Sequence, residues 1–201
     1  MSDVRVTINA ASFGKTFQKA LDLPRFKQSA NDIVAQVYER AKIKLMEEFN
    51  NSPITQEIEA GPEVTDDPSG LLDGYGGLFS FIGFYIGDTP IANLREYLAE
   101  SMSMRQTVRR ENKWYFRIEV PSESDIAAVT PLPWEEGNSW VLGVEKEGIS
   151  NLSHYLNTYW PQGRSSMGIQ IKGEYRPGAS MHTSPYLLGM LDNFREEMNF
   201  K

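Results

Sequence analysis

Cysteine is absent from this chain of 201 residues, and histidine occurs only twice. The lack of cysteine excludes disulfide bonds, thiolate nucleophiles and cysteine-ligated zinc. The two histidines, His154 and His182, do not fall in a metal-ligand spacing, so a structural or surface role is the favoured interpretation of each. We therefore expect neither a bound metal ion nor another cofactor.

Basic residues are also scarce, since 20 lysines and arginines stand against 27 aspartates and glutamates, and the formal net charge is −7. A protein that grips nucleic acid neutralises phosphates with lysine and arginine, which usually leaves a basic surface. This balance argues against sequence-specific binding of nucleic acid. It is compatible with a surface that DNA only passes.

No apolar run approaches the ~20 residues that are needed to span a bilayer. The longest candidate, residues 78–86, is short and contains glycine. The first residues lack a basic segment followed by an apolar stretch, so we expect no secretory signal. These observations predict a protein that is made and assembled in the cytoplasm and does not associate with membranes.

Hydrophobic periodicity predicts an α+β fold in a single domain over residues 1–201. The clearest helix covers residues 29–49, where apolar residues recur at spacings of three and four. A central helix is predicted to begin near Pro90, and a C-terminal helix is predicted to begin at residues 184–185. We expect these three helices to pack with a small antiparallel or mixed β-sheet.

The best strand in the sequence is residues 114–120, in which apolar and polar residues alternate strictly. It is predicted to form a hairpin with residues 105–110. Five further elements are predicted: a strand within residues 1–12, a strand covered on both faces at 78–84, a short helix from Ser122 or Ser124 to about Val129, a weak helix over 149–159, and a strand at 169–171.

An extended loop is predicted at residues 59–77, and loops this long in a compact domain are usually functional or mobile. Its acidic part is expected to be solvated. Asp66, Asp67 and Asp73 carry oxygen ligands that suit calcium, but their spacing does not match the calcium-binding loop. We expect this loop, with Asp66, Asp67 and Tyr75, to form an interface with a partner.

The only basic cluster of the sequence lies in the predicted hairpin. One strand carries Arg105, Arg109 and Arg110, and Lys113 and Arg117 follow across the turn. Such a cluster either meets an acidic neighbour in an assembly, where charge complementarity steers docking, or protects an edge strand from unwanted pairing. The sequence favours neither over the other.

Large aromatic residues are numerous, and several lie beside proline or glycine in predicted loops: Tyr75, Trp114, Trp134, Trp140, Tyr159 and Trp160. Exposed aromatic side chains favour protein interfaces, while packing in the core would account for some of them. We take Trp134 and Trp160 as interface candidates.

Motifs of catalysis are missing, since neither a G-x-S-x-G elbow nor a Walker loop occurs. The glycine-rich residues 74–77 precede a predicted strand, so they lack the geometry of a phosphate loop at a helix N-terminus. We therefore expect a protein that is not an enzyme. A hydrolase or nuclease, the alternative of another class, would need carboxylates or histidines from distant positions to converge.

Three blocks of the sequence resemble segments of virion proteins from tailed phages. They are EEFNNSPITQEIEAGP at residues 47–62, GYGGLFSFIGF at 74–84, and GRSSMGIQI at 163–171, which is followed by PYL at 185–187. Their order resembles that of the minor tail or tail-completion proteins of the head–tail neck. Residues 66–73 depart from this resemblance, because a stretch rich in serine, threonine and glycine is expected there.

The resemblance implies a virion protein of the neck, assembled in the host cytoplasm. It implies a small α+β subunit that forms a homo-oligomeric ring, a hexamer, between the head connector and the tail tube. Its implied partners are other neck proteins, namely the connector or stopper, the tail terminator and the tail tube, and DNA would pass through the lumen. A tail terminator that caps the tube is the alternative within the same class.

Overall fold

The computed structural model describes residues 2–9, 24–64, 67–72, 77–106, 113–133, 135–148, 154–157, 169–172 and 182–199. Its strands are all paired antiparallel, and helices accompany them along the chain. The predicted α+β class is confirmed. The helices are α1 (Pro24–Asn51), α2 (Pro53–Glu59), α3 (Leu78–Ile82), α4 (Pro90–Ser101), α5 (Glu123–Val129), α6 (Trp140–Leu142) and α7 (Leu187–Met198).

The strands form three antiparallel groups in the part of the chain that the structure describes. The largest group is a three-stranded sheet in the order β1-β3-β2, and the other two are the pairs β4-β5 and β6-β7. The strands are β1 (Ser2–Asn9), β2 (Ser103–Gln106), β3 (Lys113–Val120), β4 (Pro131–Leu132), β5 (Glu135–Ser139), β6 (His154–Asn157) and β7 (Ile169–Lys172).

Helix α1 confirms the prediction over residues 29–49 and extends it at both ends. The buried side chains lie at spacings of three and four: Val34, Tyr38, Ala41, Leu45 and Phe49. Residues 24–29, at the start of the helix, are all exposed. The helix ends where Pro53 begins α2, since Ser52 adopts the extended conformation that a following proline favours.

The three-stranded sheet buries one face and presents the other to solvent. On β3, Phe116, Ile118 and Val120 are fully buried, and they alternate with more exposed residues as predicted. The register pairs Ile118 with Val4 of β1 and with Met104 of β2. The predicted pairing of the two strands is confirmed where both are described, with β2 beginning at Ser103 rather than at residue 105; residues 107–110 lie outside the described residues.

Helices α1 and α7 cover the inner face of this sheet. Helix α7 packs against α1 and also lies against β1, while α1 reaches β2. The contact between the helices includes the rings of Tyr38 and Phe194, whose centroids lie 6.1 Å apart in an edge-to-face arrangement. Burial raises the pKa of Tyr38 to about 12. The result is a helical layer on a sheet layer, with the core between them.

The predicted strand at residues 78–84 is wrong, because residues Leu78–Ile82 form helix α3. All five of its residues are buried, so the segment has no polar face. A run that is apolar all round has no periodicity to separate helix from strand. The helix ends at Gly83, whose φ of 93° is accessible to glycine at little cost.

The predicted weak helix over residues 149–159 is also wrong where the structure describes it. Residues His154–Asn157 form strand β6, which pairs antiparallel with β7, Ile169–Lys172. Strand β7 was predicted at residues 169–171. Its backbone pairs with β6, and the sequence around β6 alone does not indicate this pairing. Pairing between distant segments here outweighs a weak helical pattern.

Helices α4 and α5 form where they were predicted. Helix α4 buries Ile91, Leu94 and Leu98. Its N-cap residue, Thr89, makes no side-chain capping hydrogen bond, and the carboxylate of Asp88 accepts a hydrogen bond from the N–H of Tyr85 at 2.8 Å. Helix α5 starts at Ser122, which forms a capping box with Asp125.

Candidate functional site

The described part of the basic cluster lies on the outward face of the three-stranded sheet. Arg105 of β2 pairs in register with Arg117 of β3, and Arg117 pairs on its other side with Arg5 of β1. We call these three residues the arginine row. The side chains of Arg105 and Arg117 are exposed, as expected for positions that alternate with the buried Phe116 and Ile118.

The sequence analysis missed Arg5. Its position in the row follows from the register of β1 against β3, which only the tertiary structure supplies. The two other arginines of the predicted cluster, Arg109 and Arg110, lie outside the described residues. The structure therefore brings together Arg105 and Arg117, as predicted, and adds Arg5 from the start of the chain.

Two carboxylate residues share the face of the arginine row in the described strands: Glu119 of β3 and Asp3 of β1, which pairs with Glu119 in register. Glu119 of β3 lies 3.6 Å from the guanidinium of Arg105 and accepts a 2.7 Å hydrogen bond from the Ser103 hydroxyl. The Arg105 side chain is 70% exposed, against 16% for Glu119. Like charges directly opposite each other on a sheet are destabilising. Arg105 and Arg117, which are exposed and directly opposite each other, therefore place like charges side by side on this face.

The row also spans both edges of its sheet. In the described residues, β1 and β2 are the outer strands, and β3 lies between them. Outer strands carry backbone groups that can pair with another chain, and charged side chains are a common protection against this. The position of Arg105 thus agrees with both interpretations of the basic cluster, docking and edge protection.

The predicted loop at residues 59–77 is organised by Asp67. Its carboxylate accepts hydrogen bonds from the N–H groups of Leu71 at 3.0 Å and Leu72 at 2.8 Å, and from the Ser69 hydroxyl at 3.1 Å. Asp67 is half-buried. It therefore holds a turn and is not the solvated side chain that was predicted. Asp66, Asp73 and Tyr75 lie outside the described residues.

Glu57 of α2 ties this loop to the core. Its carboxylate is buried and accepts hydrogen bonds from the N–H of Ser69 at 3.0 Å and from the N–H of Leu78 at 2.8 Å. The glycine-rich residues 74–77 thus precede a helix, not the strand that was predicted. The N–H at the start of that helix binds an internal carboxylate, where a phosphate loop would offer it to a ligand.

A second internal carboxylate, that of Glu145, lies at the start of α7. It accepts hydrogen bonds from the N–H groups of Tyr186 at 2.8 Å, Leu188 at 2.9 Å and Gly189 at 3.3 Å. These N–H groups lie at the first turn of the helix, where backbone N–H groups have no hydrogen-bonding partners within the helix itself. Sequence reasoning missed both Glu57 and Glu145. For Glu57 a signal existed, because it shares a helix face with Ile54 and Ile58.

The aromatic residues that were considered for an interface divide into two groups. Trp140 lies in the core, 1% exposed, with its ring against those of Phe84 and Tyr186. Core packing thus accounts for Trp140, one of the alternatives that the sequence left open. Trp134 and Trp160 lie outside the described residues.

The remaining polar residues do not converge on a reaction centre among the described residues. No group of three or more histidines, aspartates or glutamates there is arranged to hold a metal ion. An open groove includes Glu59 and Asp88 in its wall. Glu59 pairs with Arg95 at 2.8 Å, and Asp88 holds the turn at Tyr85.

No helix in the described ranges is both long enough and apolar enough to cross a bilayer. Comparison of the chain with protein families, curated proteins and solved structures found no match. We therefore base the function on the geometry of the sheet face and on the resemblance of the three sequence blocks.

Proposed function

We propose that this chain is a structural virion protein of a tailed phage, a tail-completion or head–tail joining subunit of the neck. It forms a ring of identical subunits, a hexamer, between the connector and the tail tube. The observation that carries the proposal is the arginine row, in which arginines pair in register and the side chains of Arg105 and Arg117 are exposed. A fold tolerates like charges that lie opposite each other when they meet an anionic partner in an assembly.

The use of the acidic side chains supports a structural role over a catalytic one. Glu57, Asp67 and Glu145 each bind two or more backbone N–H groups, so they hold loops and helix starts in place. A catalytic carboxylate needs access to a substrate and a poised protonation state. These three serve the fold instead.

The net charge of −7 fits a ring whose lumen DNA crosses without being held. Tight binding of duplex DNA would require a set of phosphate contacts by lysine and arginine. The subunit would be assembled in the host cytoplasm and remain in the mature particle, in contact with the connector or stopper, the tail terminator and the tail tube.

The test is the mass of the native oligomer, measured by native mass spectrometry, together with a map of the particle that locates the protein. A closed ring of about six copies, found between connector and tube, is the expected result. A location at the end of an isolated tube would identify a tail terminator instead. A protein that stays monomeric at high concentration, or that hydrolyses DNA with added divalent metal, would contradict the proposal.

A further inference from the structure

We infer that neighbouring subunits join head to tail, with the arginine row of one copy docked on an acidic helical face of the next. This inference rests on the proposed self-assembly and names the surfaces that carry it. The acidic helical face is defined by four carboxylates at the outer side of α1 and α7: Glu48, Asp192, Glu196 and Glu197.

The acidic helical face carries an excess of negative charge. The ammonium group of Lys44 donates a hydrogen bond to the carboxylate of Glu197 and lies 3.9 Å from that of Glu48. The guanidinium of Arg195 lies 2.5 Å from the carboxylate of Asp192. These two cations stand against four carboxylates. Glu196 and Asp192 are exposed one helical turn apart on α7, so both can reach a partner.

The two charged surfaces lie on opposite sides of the molecule. Helices α1 and α7 cover the inner face of the sheet, while Arg105 and Arg117 point out from its other face. A subunit therefore has a basic side on its sheet layer and an acidic side on its helical layer. Surfaces that differ in this way cannot pair with themselves across a two-fold axis. They join head to tail, and such contacts close into rings when the rotation allows.

A second copy suits the arginine row better than duplex DNA does. The chain as a whole carries −7, so DNA that approached the row would be repelled by the rest of the molecule. A second copy instead offers the row the carboxylates of its own acidic helical face. The row is also short, whereas a DNA site that binds tightly needs several phosphate contacts.

The experiment exchanges the charges of the two faces in separate variants. One variant carries Arg105→Glu and Arg117→Glu, and the other carries Asp192→Lys and Glu196→Lys. Each alone has two faces of like charge and is expected to lose assembly, with an apparent Kd at least about tenfold weaker. Mixed in equal amounts, the two variants complement each other at every contact and should form assemblies in which they alternate.

Matched controls carry the same changes of net charge at other exposed positions. Arg25→Glu with Lys27→Glu controls for the first variant, and Glu63→Lys with Glu100→Lys controls for the second. Both controls should assemble like the wild type. Assembly of the wild type should also weaken as salt is raised, because the Debye length falls from about 10 Å at 0.1 M to about 3 Å at 1 M.

The outcomes separate this inference from the proposed function. If the wild type forms rings and either charge variant still does, the interface lies elsewhere and the inference is overturned, while the ring role stands. If the mixture of variants fails to reassemble although both are folded by circular dichroism, the inference is likewise overturned. If the first variant loses only DNA binding, the row serves nucleic acid. A monomeric wild type would end both proposals.

Discussion

The hydroxyl groups of Thr55 and Tyr186 lie 2.7 Å apart inside the core, although 131 positions separate the two residues in the sequence. Tyr186 is 1% exposed, and burial raises the pKa of its hydroxyl. The ring packs between Phe49 and Trp140. This hydrogen bond therefore joins α2 to the start of α7.

Removing both hydroxyls of this pair should cost less than the sum of the two single removals. We expect Tyr186→Phe to lower the free energy of unfolding by about 1–3 kcal/mol, because the buried hydroxyl of Thr55 then lacks its partner. Thr55→Val should cost a similar amount. The double variant should cost less than the sum of the two, and urea unfolding of all four proteins measures the coupling. Additive losses would show that the bond contributes nothing of its own.

Glu57 should matter more for stability than its place beside an acidic loop suggests. We expect Glu57→Ala to destabilise the protein by about 2–4 kcal/mol, because two backbone N–H groups lose a charged acceptor. Hydrogen exchange at the amides of Ser69 and Leu78 should accelerate. Glu63→Ala, an exposed change in the same region, should stay within about 0.5 kcal/mol. Equal effects of the two substitutions would show that the hydrogen bonds accepted by Glu57 do not stabilise the fold.

The capping box of α5 predicts a pH dependence. Hydrogen bonds from the hydroxyl and the backbone N–H of Ser122 lower the pKa of Asp125 from 3.8 to about 2. A lowered pKa in the folded state means that the stabilisation is complete above 3.8 and is lost as the pH falls towards 2.

Asp125→Asn tests this dependence. The difference in stability between wild type and variant should be largest near neutral pH and should shrink across that acidic window, as measured by urea unfolding at a series of pH values. Ser122→Ala, which removes the hydroxyl partner, should cost about 1 kcal/mol and flatten the same part of the profile. A difference that does not change with pH would show that the ionised carboxylate is not the stabilising form.

The residues that sequence alone could place are those whose neighbours are local. The buried stripe of α1 and the alternation of β3 repeat along the chain, so their pattern shows which side faces the core. The same holds for α4 and α7. The prediction for α3 was wrong because each of its residues is buried and no periodic pattern remains. The prediction for β6 was wrong because its partner strand comes later in the chain.

The candidate site was only partly predictable for the same physical reason. Arg105 and Arg117 could be placed on one face, because they lie in one hairpin. Arg5 joins them through pairing with a strand more than one hundred positions away, and no local pattern indicates that register. The carboxylates of Glu57 and Glu145 bind backbone N–H groups of other segments, and a sequence does not show which N–H groups lack partners.

The exposed beginning of α1 offers a position at which the protein can be labelled. Since residues 24–29 are all exposed and the natural chain has no thiol, Lys27→Cys would place a single reactive sulfur on a rigid helix. A fluorophore or spin label attached there would report the spacing between copies in the proposed ring without perturbing the core. Because the chain has no cysteine, the introduced thiol would be its one site for thiol labelling.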